Sequence, residues 1–225
     1  MDWKAACAAV IPCLNEQAAI GSLVGAVRKQ LPTVFVVDDG SADDTAAIAR
    51  KAGAIVLQNR PTLGKGAALE LGLAQARKSG YRWALTMDGD GQHSPDDISS
   101  FLGCAERTSA ALIIGDRMGQ ASRIPLVRRW VNRWMSRRLS NLTGRLLPDS
   151  QCGFRLIDLE DWARLPIQAR YFEIESEVLF LFANAGLTIE FVPVQVIYKE
   201  EKSKIHPLHD SVRWLRWYRQ ARRRV

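Results

Sequence analysis

Trp83-Ala84-Leu85-Thr86-Met87-Asp88-Gly89-Asp90-Gly91-Gln92-His93 is the stretch on which the reading of this chain turns. A short apolar run climbs to two acids separated by one glycine. A run of that length predicts a buried strand. Open α/β sheets bind ligands beyond the carboxyl ends of their strands. Glycine lets the following backbone bend freely, so both carboxylates can face one hard cation. Mg²⁺ and Mn²⁺ take oxygen ligands, and Mg²⁺ is commonly held by one or two carboxylates together with phosphate oxygens. The competing reading is a polar turn of the kind that Asp and Gly supply after many core strands.

Working outward, Ala5 to Pro12 predicts a first strand, and a helical pattern follows from Asn15-Glu16 through Ile20, Leu23, Val24 and Val27. Val34-Phe35-Val36-Val37 reads as a strand buried on both faces. It ends in Asp38-Asp39-Gly40-Ser41, and Asp43-Asp44-Thr45 starts the next helix. Ala54 to Leu57 is a third short strand. A loop holding Gly64-Lys65-Gly66 leads into a helix from about Ala67 to Lys78. After the opening stretch, Ser94-Pro95 starts another helix, with proline well placed in the first turn, and Ala110 to Ile114 is a fifth strand. Strand and helix alternate with short connections, which predicts an α/β, doubly wound, mostly parallel sheet with helices on both faces. No G-x-G-x-x-G follows the first strand, which disfavours a classical dinucleotide fold.

The chain has 225 residues, 47% hydrophobic and 24% charged, enough to bury one sizeable core. The net charge of +7 calls for an anionic partner: a phosphate ligand, a nucleic acid or an anionic membrane. Cys7, Cys13, Cys104 and Cys152 are scattered with no C-x-x-C pair, and only three histidines are present, so the composition argues against zinc. The start, Met1-Asp2-Trp3-Lys4, lacks a basic n-region, and no window approaches the roughly 20 apolar residues of a membrane span. The expectation is a reduced, cytoplasmic protein.

From Met118 to Pro148 there is no acid, while Arg123, Arg128, Arg129, Arg133, Arg137, Arg138 and Arg145 punctuate Leu126, Val127, Trp130, Val131, Trp134, Met135, Leu139 and Leu142. The apolar spacing predicts a basic amphipathic helix. Asp149 to Asp158 reads as a turn and strand, Glu173 to Asn184 as a helix, Thr188 to Tyr198 as a strand and Lys199 to Lys204 as a charged linker. Residues 1–205 are expected to form the catalytic domain, and 206–225 a basic amphipathic helix for packing or a membrane interface.

The polar strand ends, read together, resemble inverting family 2 glycosyltransferases of the glycosyltransferase-A fold. They are P-x-x-N-E at Pro12 to Glu16, D-D-G-S at Asp38 to Ser41, G-K-G at Gly64 to Gly66 and D-x-D-x-Q-H at Asp88 to His93. Asp149-Ser150-Gln151-Cys152-Gly153-Phe154-Arg155 and Lys202-Ser203-Lys204 resemble the dolichyl- or polyprenyl-phosphate sugar transferase branch. The resemblance implies donor contacts from Pro12, Asn15, Glu16, Asp39, Lys65, Asp88 and Gly89. It implies a Mg²⁺ or Mn²⁺ ligand set of Asp88, Asp90 and Gln92, with Asp90, Arg117 and Arg155 at the chemistry. The acceptor phosphate would be held by Arg117, Lys202 and Lys204, joined by Arg133 and Ser136 from the basic helix. His93 is expected to be structural. For Asn15 a helix cap, and for the arginines a solvated face, are the structural alternatives.

A hydroxyl acceptor normally needs a general base. The Q-x-x-R-W of hydroxyl-directed relatives occurs nowhere in this chain. A phosphate monoester is already anionic near neutral pH, its second pKa being about 6, and can attack without one. The resulting expectation is transfer of a sugar from a nucleotide-sugar donor to a lipid-phosphate acceptor at the cytosolic face of a membrane, alone or beside a membrane-protein partner, with no nucleic acid involved. Two alternatives stand at this point. One keeps the donor but takes a hydroxyl acceptor, with Glu173 or Glu175 as base; the other is a non-catalytic basic module for membrane or nucleic acid.

Overall fold

The computed structural model describes residues 1–197 and 207–224. A single turn, α1 (Trp3–Ala6), leads into β1 (Cys7–Cys13), α2 (Ile20–Val27), β2 (Val34–Asp38), α3 (Thr45–Lys51), β3 (Ile55–Gln58), α4 (Lys65–Lys78) and β4 (Trp83–Thr86). A 3-10 turn (Pro95–Asp97) opens α5 (Ile98–Thr108). Then come β5 (Leu112–Asp116), a 3-10 stretch (Met118–Arg123), α6 (Leu126–Thr143), β6 (Arg155–Asp158), α7 (Leu159–Arg164), α8 (Ile174–Asn184), β7 (Ile189–Pro193) and α9 (Pro207–Ala221).

The strands form one seven-stranded sheet in the order β3-β2-β1-β4-β6-β5-β7. β1 is parallel to both β2 and β4, with Ile11 opposite Val36 and Val10 opposite Thr86. β1 and β2 are buried along their whole length, which is why they read as continuous apolar runs rather than as alternating ones. The chain moves outward from β1 to β2 and β3, then crosses to β4 on the other side of β1. The carboxyl ends of β1 and β4 therefore flank a topological switch point, the place where such sheets open a crevice for ligand.

The parallel progression stops at β4. β6 enters between β4 and β5, antiparallel to both, so that Arg155 lies opposite Thr86 on one side and Ile114 on the other. The expected fifth strand is thus one strand removed from the fourth, although their carboxyl ends still point the same way. Periodicity reports which residues are buried, not which strand is the neighbour. A second departure lies after β1. The helix begins at Ile20, not at Asn15, because Asn15 sits at φ 52° in the left-handed region and turns the chain first.

Packing fixes the remaining elements. α4 lies close on the sheet because Gly72 has no side chain: a Cβ there would stand 2.4 Å from Val10 Cγ1 and 2.9 Å from Val37 Cγ2. Phe101 and Phe154 stack with centroids 4.3 Å apart, and His93 packs on Phe154 at 5.2 Å. α9 docks through aromatic residues: Trp214 lies 5.1 Å from Tyr218 and 5.3 Å from Trp134, and its Nε1 donates to Ser176 Oγ at 2.8 Å. The tryptophans of the final helix are therefore packing residues. Among the described residues no helix is long and apolar enough to cross a membrane.

Gly72→Val is expected to destabilise the protein by about 2–3 kcal/mol through overpacking against β1 and β2, read as a lower urea midpoint at unchanged slope.

Candidate active site

Side chains from neighbouring strands tie the strand ends at the switch point together. Asn15 N–H donates to Ser41 Oγ, and its Oδ1 accepts from Ala42 N–H, both at 2.8 Å. It bridges the exits of β1 and β2 and is not a helix cap. Glu16 N–H donates to Thr45 Oγ1 at 2.7 Å. Asp38 accepts from Ser41 N–H and from Gln58 Nε2. The buried Asp39 carboxylate accepts from Asn59 Nδ2, Leu63 N–H and Gly64 N–H at 2.8–3.0 Å. That acid pins the loop leading to α4, and with it Lys65.

Lys65 opens α4 and reaches back to the acidic stretch. Its Nζ lies 2.5 Å from Asp88 Oδ1 and 2.8 Å from Glu175 Oε1. Glu175 Oε2 lies 2.6 Å from Arg155 Nη2. Glycines permit this crowding. A Cβ on Gly153 would stand 2.7 and 2.8 Å from the Asp88 oxygens, and one on Gly89 2.5 Å from Cys13 Sγ. Pro12 is buried beside them, its carbonyl 3.3 Å from that same Gly89 position. Burial alone would raise the pKa of Asp88, but the Lys65 charge and the contact with His93 outweigh it and hold the carboxyl far below the usual range. Asp90 goes the other way: burial, then the charge of Asp88, pushes its carboxyl up.

Beyond β4 the basic groups divide. Arg117, at the end of β5, places Nε 2.7 Å and Nη2 2.9 Å from the Asp149 oxygens. Burial works against its charge, but Asp149 more than restores it, so the guanidinium stays cationic. Asp149 further accepts from Asn132 Nδ2 of α6 at 2.8 Å.

The structure corrects two expectations. Arg155 is not at the chemistry: it is 2% exposed, and its guanidinium donates to the carbonyls of Ser150, Cys152 and Glu175. It opens β6, a strand enclosed between β4 and β5, and that position draws it into the core. Ser136 does not face an acceptor: it is buried and bonded to Asn132 and Ser150. Arg133 is exposed on the outer face of α6. Lys202 and Lys204 lie outside the described residues. Pattern reading marked Asp149 as the head of the Asp149–Arg155 element but missed it as the partner of Arg117. Glu175, considered only as a base, is a partner of Lys65 and Arg155.

Among the described residues no group of three His, Cys, Asp or Glu side chains is gathered as a metal cage. The donors at the strand end are oxygens, the two carboxylates and the Gln92 amide. Asp90 is an acid that Lys65 does not pair. This is the hard, incomplete and negatively biased set that suits a Mg²⁺-like cation finished by phosphate oxygens.

Residues 8–163 match the model of the family described as "Glycosyl transferase family 2". The chain is 28% identical over 214 residues to the UDP-N-acetylglucosamine–dolichyl-phosphate N-acetylglucosaminyltransferase of Methanococcus voltae, covering 85% of each protein. It is 27% identical over 208 residues to the polyprenol monophosphomannose synthase of Mycolicibacterium smegmatis, covering 85% of this chain and 77% of that one. The fold is similar to glucosyl-3-phosphoglycerate synthase from Mycobacterium tuberculosis, with TM-score 0.72 at 22% identity over 96% of this chain and 78% of that one.

Because Arg117 and Asn132 hold the Asp149 carboxyl below its ordinary value of 3.8, its stabilisation is fully present above that pH and is lost as pH falls through the lowered folded value. Asp149→Asn is expected to cost about 3 kcal/mol near pH 7 and to flatten the loss of urea stability as pH falls below about 5.

Proposed function

The chain belongs to glycosyl transferase family 2, and from that premise we propose that it is a metal-dependent, inverting enzyme that transfers a sugar from a GDP- or UDP-linked donor to a polyprenyl-phosphate. The observation that carries this reading is an acidic strand exit and a basic one on the same edge of the sheet. Asp88 and Asp90 follow β4, and Arg117 follows β5, whose carboxyl end points the same way.

The roles follow from charge. The loops after β1 and β2, set by Asn15, Glu16 and Asp39, border the donor's nucleotide, with Pro12 and Gly89 forming the close-packed floor. Asp88, Asp90 and Gln92 would hold Mg²⁺ or Mn²⁺, and the cation would supply positive charge to the departing diphosphate. Glucosyl-3-phosphoglycerate synthase has been solved with Mn²⁺ and UDP, which supports this class of cation. Arg117 orients the acceptor phosphate, with Arg133, Lys202 and Lys204 as further cations. The phosphate oxygen forms a bond to the anomeric carbon while the bond to the diphosphate breaks, and the nucleoside diphosphate leaves with the bonding electrons. A single displacement inverts the centre, and no proton has to be removed. Glu175, the base a hydroxyl acceptor would call on, is 4% exposed and paired with Lys65 and Arg155, which favours the anionic acceptor.

A lipid-linked acceptor brings the enzyme to the cytosolic face of a membrane. α6 supports this: Leu126, Val127 and Trp130 are 71%, 76% and 68% exposed, and Arg128, Arg129, Arg133 and Arg137 stand among them on an acid-free helix. Apolar groups flanked by arginines suit an anionic interface.

With Mn²⁺, UDP or GDP is expected to raise the melting temperature; no stabilisation by either would sink the proposal. Asp90→Ala is expected to abolish release of nucleoside diphosphate in the presence of a polyprenyl-phosphate while leaving the unfolding midpoint within about 1 kcal/mol of wild type. Trp130→Glu is expected to weaken binding to phosphatidylglycerol vesicles by about tenfold, measured by co-sedimentation. Unchanged sedimentation would remove α6 from the interface.

A further inference from the structure

Charges alternate in a line that runs from the buried Arg155 and Glu175 to the half-buried Lys65 and Asp88 at the proposed cation site. Arg155 in β6 is fixed by three carbonyls. It holds Glu175 Oε2 at 2.6 Å. Glu175 Oε1 stands 2.8 Å from Lys65 Nζ, an ion contact without hydrogen-bond alignment. Lys65 Nζ in turn lies 2.5 Å from Asp88 Oδ1. The ammonium has little freedom to leave this position. A Cβ on Gly153 would stand 2.9 Å from Nζ, so that backbone closes one side, and the Gly153 carbonyl is itself held by Thr86 Oγ1 at 2.8 Å. The Phe172 ring lies 5.8 Å away on another side.

We propose that Glu175 is a positioning residue for the cation site, acting through Lys65. This rests on the reading that Asp88 and Asp90 hold a divalent cation. Lys65 is shared between two carboxylates. Glu175 takes part of its field and sets its reach, so the ammonium occupies Asp88 Oδ1 and leaves Oδ2, which faces His93 Nε2 at 3.6 Å, to the cation. With Glu175 neutralised, the whole Lys65 charge falls on Asp88 and competes with the cation for the same carboxylate. The consequence is directional: removing a negative charge one residue away from Asp88 weakens cation binding because the lysine lies between them. Removing the lysine should erase the dependence on Glu175.

The test reads the Mn²⁺ concentration that half-saturates binding of UDP or GDP, whichever binds wild type, by calorimetry, without turnover. Glu175→Gln is expected to raise that concentration by about tenfold, the lower end of what loss of an outer-shell partner costs a metal site. In a Lys65→Met background the same change is expected to shift it less than about twofold, since a group acting through another contributes nothing once the intermediary is gone. Glu175→Asp keeps the charge on Arg155 but withdraws one methylene from Lys65, and is expected to raise the Mn²⁺ midpoint with a melting temperature near wild type. It serves where Glu175→Gln fails to fold. A lower melting temperature with an unchanged Mn²⁺ midpoint in either variant would overturn the proposal and leave Glu175 a structural ion. An equal shift with and without Lys65 would overturn the route through that residue. Wild-type protein that binds neither nucleotide with Mn²⁺ would instead overturn the functional reading on which the proposal rests.

Discussion

A lysine ammonium shared between Asp88 and Glu175 joins parts of the chain that are far apart in sequence: the start of α4, the exit of β4 and the first turn of α8. Burying an isolated ion costs several kcal/mol. The arrangement is tolerated because each charge faces an opposite one from Arg155 through Glu175 and Lys65 to Asp88, so the four sum to zero. Asp90 is left over, close to Asp88 and pushed toward its neutral form by burial and by that neighbour. The site carries an unbalanced acid, and its fold depends on four balanced charges beneath it.

A second polar network supports the opposite side. Asp149 accepts from both Arg117 and Asn132. Ser136 and Ser150 bond each other, Gln151 bridges Ser150 to Ser176, and Trp214 of α9 donates to Ser176. α6, α8 and α9 are connected through one set of satisfied donors and acceptors, of the kind that specifies a unique packing. That leaves α6 anchored by its inner face while Leu126, Val127 and Trp130 stay outside.

Much of the fold was legible from pattern. Val34 to Val37, Ala84 and Leu85, and Leu112 to Ile114 read as buried strands and are so, because a strand covered on both faces must be apolar throughout. The acidic strand ends were legible for the same reason: once the strands are parallel, their polar ends must share a side. β6 was not placed by that reasoning, since an antiparallel insertion leaves burial unchanged. For Asn15 the structural alternative was a cap, because capping is a local rule, whereas its partners Ser41 and Ala42 come from the next strand exit. Arg155 was expected at the chemistry by resemblance, and Ser136 at the acceptor phosphate as part of the basic helix. A buried arginine is affordable only where carbonyls converge on it, and that convergence appears only on folding.

By itself the sequence determined an alternating α/β chain, a mostly parallel sheet with polar groups at its strand ends, a pair of acids at Asp88 and Asp90, and an acid-free basic helix. These follow from hydrophobic period, glycine placement and charge pattern, all of them local along the chain. Only the tertiary structure decided which charges neutralise one another. It paired Lys65 with Asp88 and Glu175, gave Arg117 to Asp149, withdrew Arg155 and Ser136 into the interior, and turned the tryptophans of α9 inward while leaving Trp130 outside. Such pairing depends on distances of a few ångströms between residues tens to more than a hundred positions apart, and no sequence spacing encodes them.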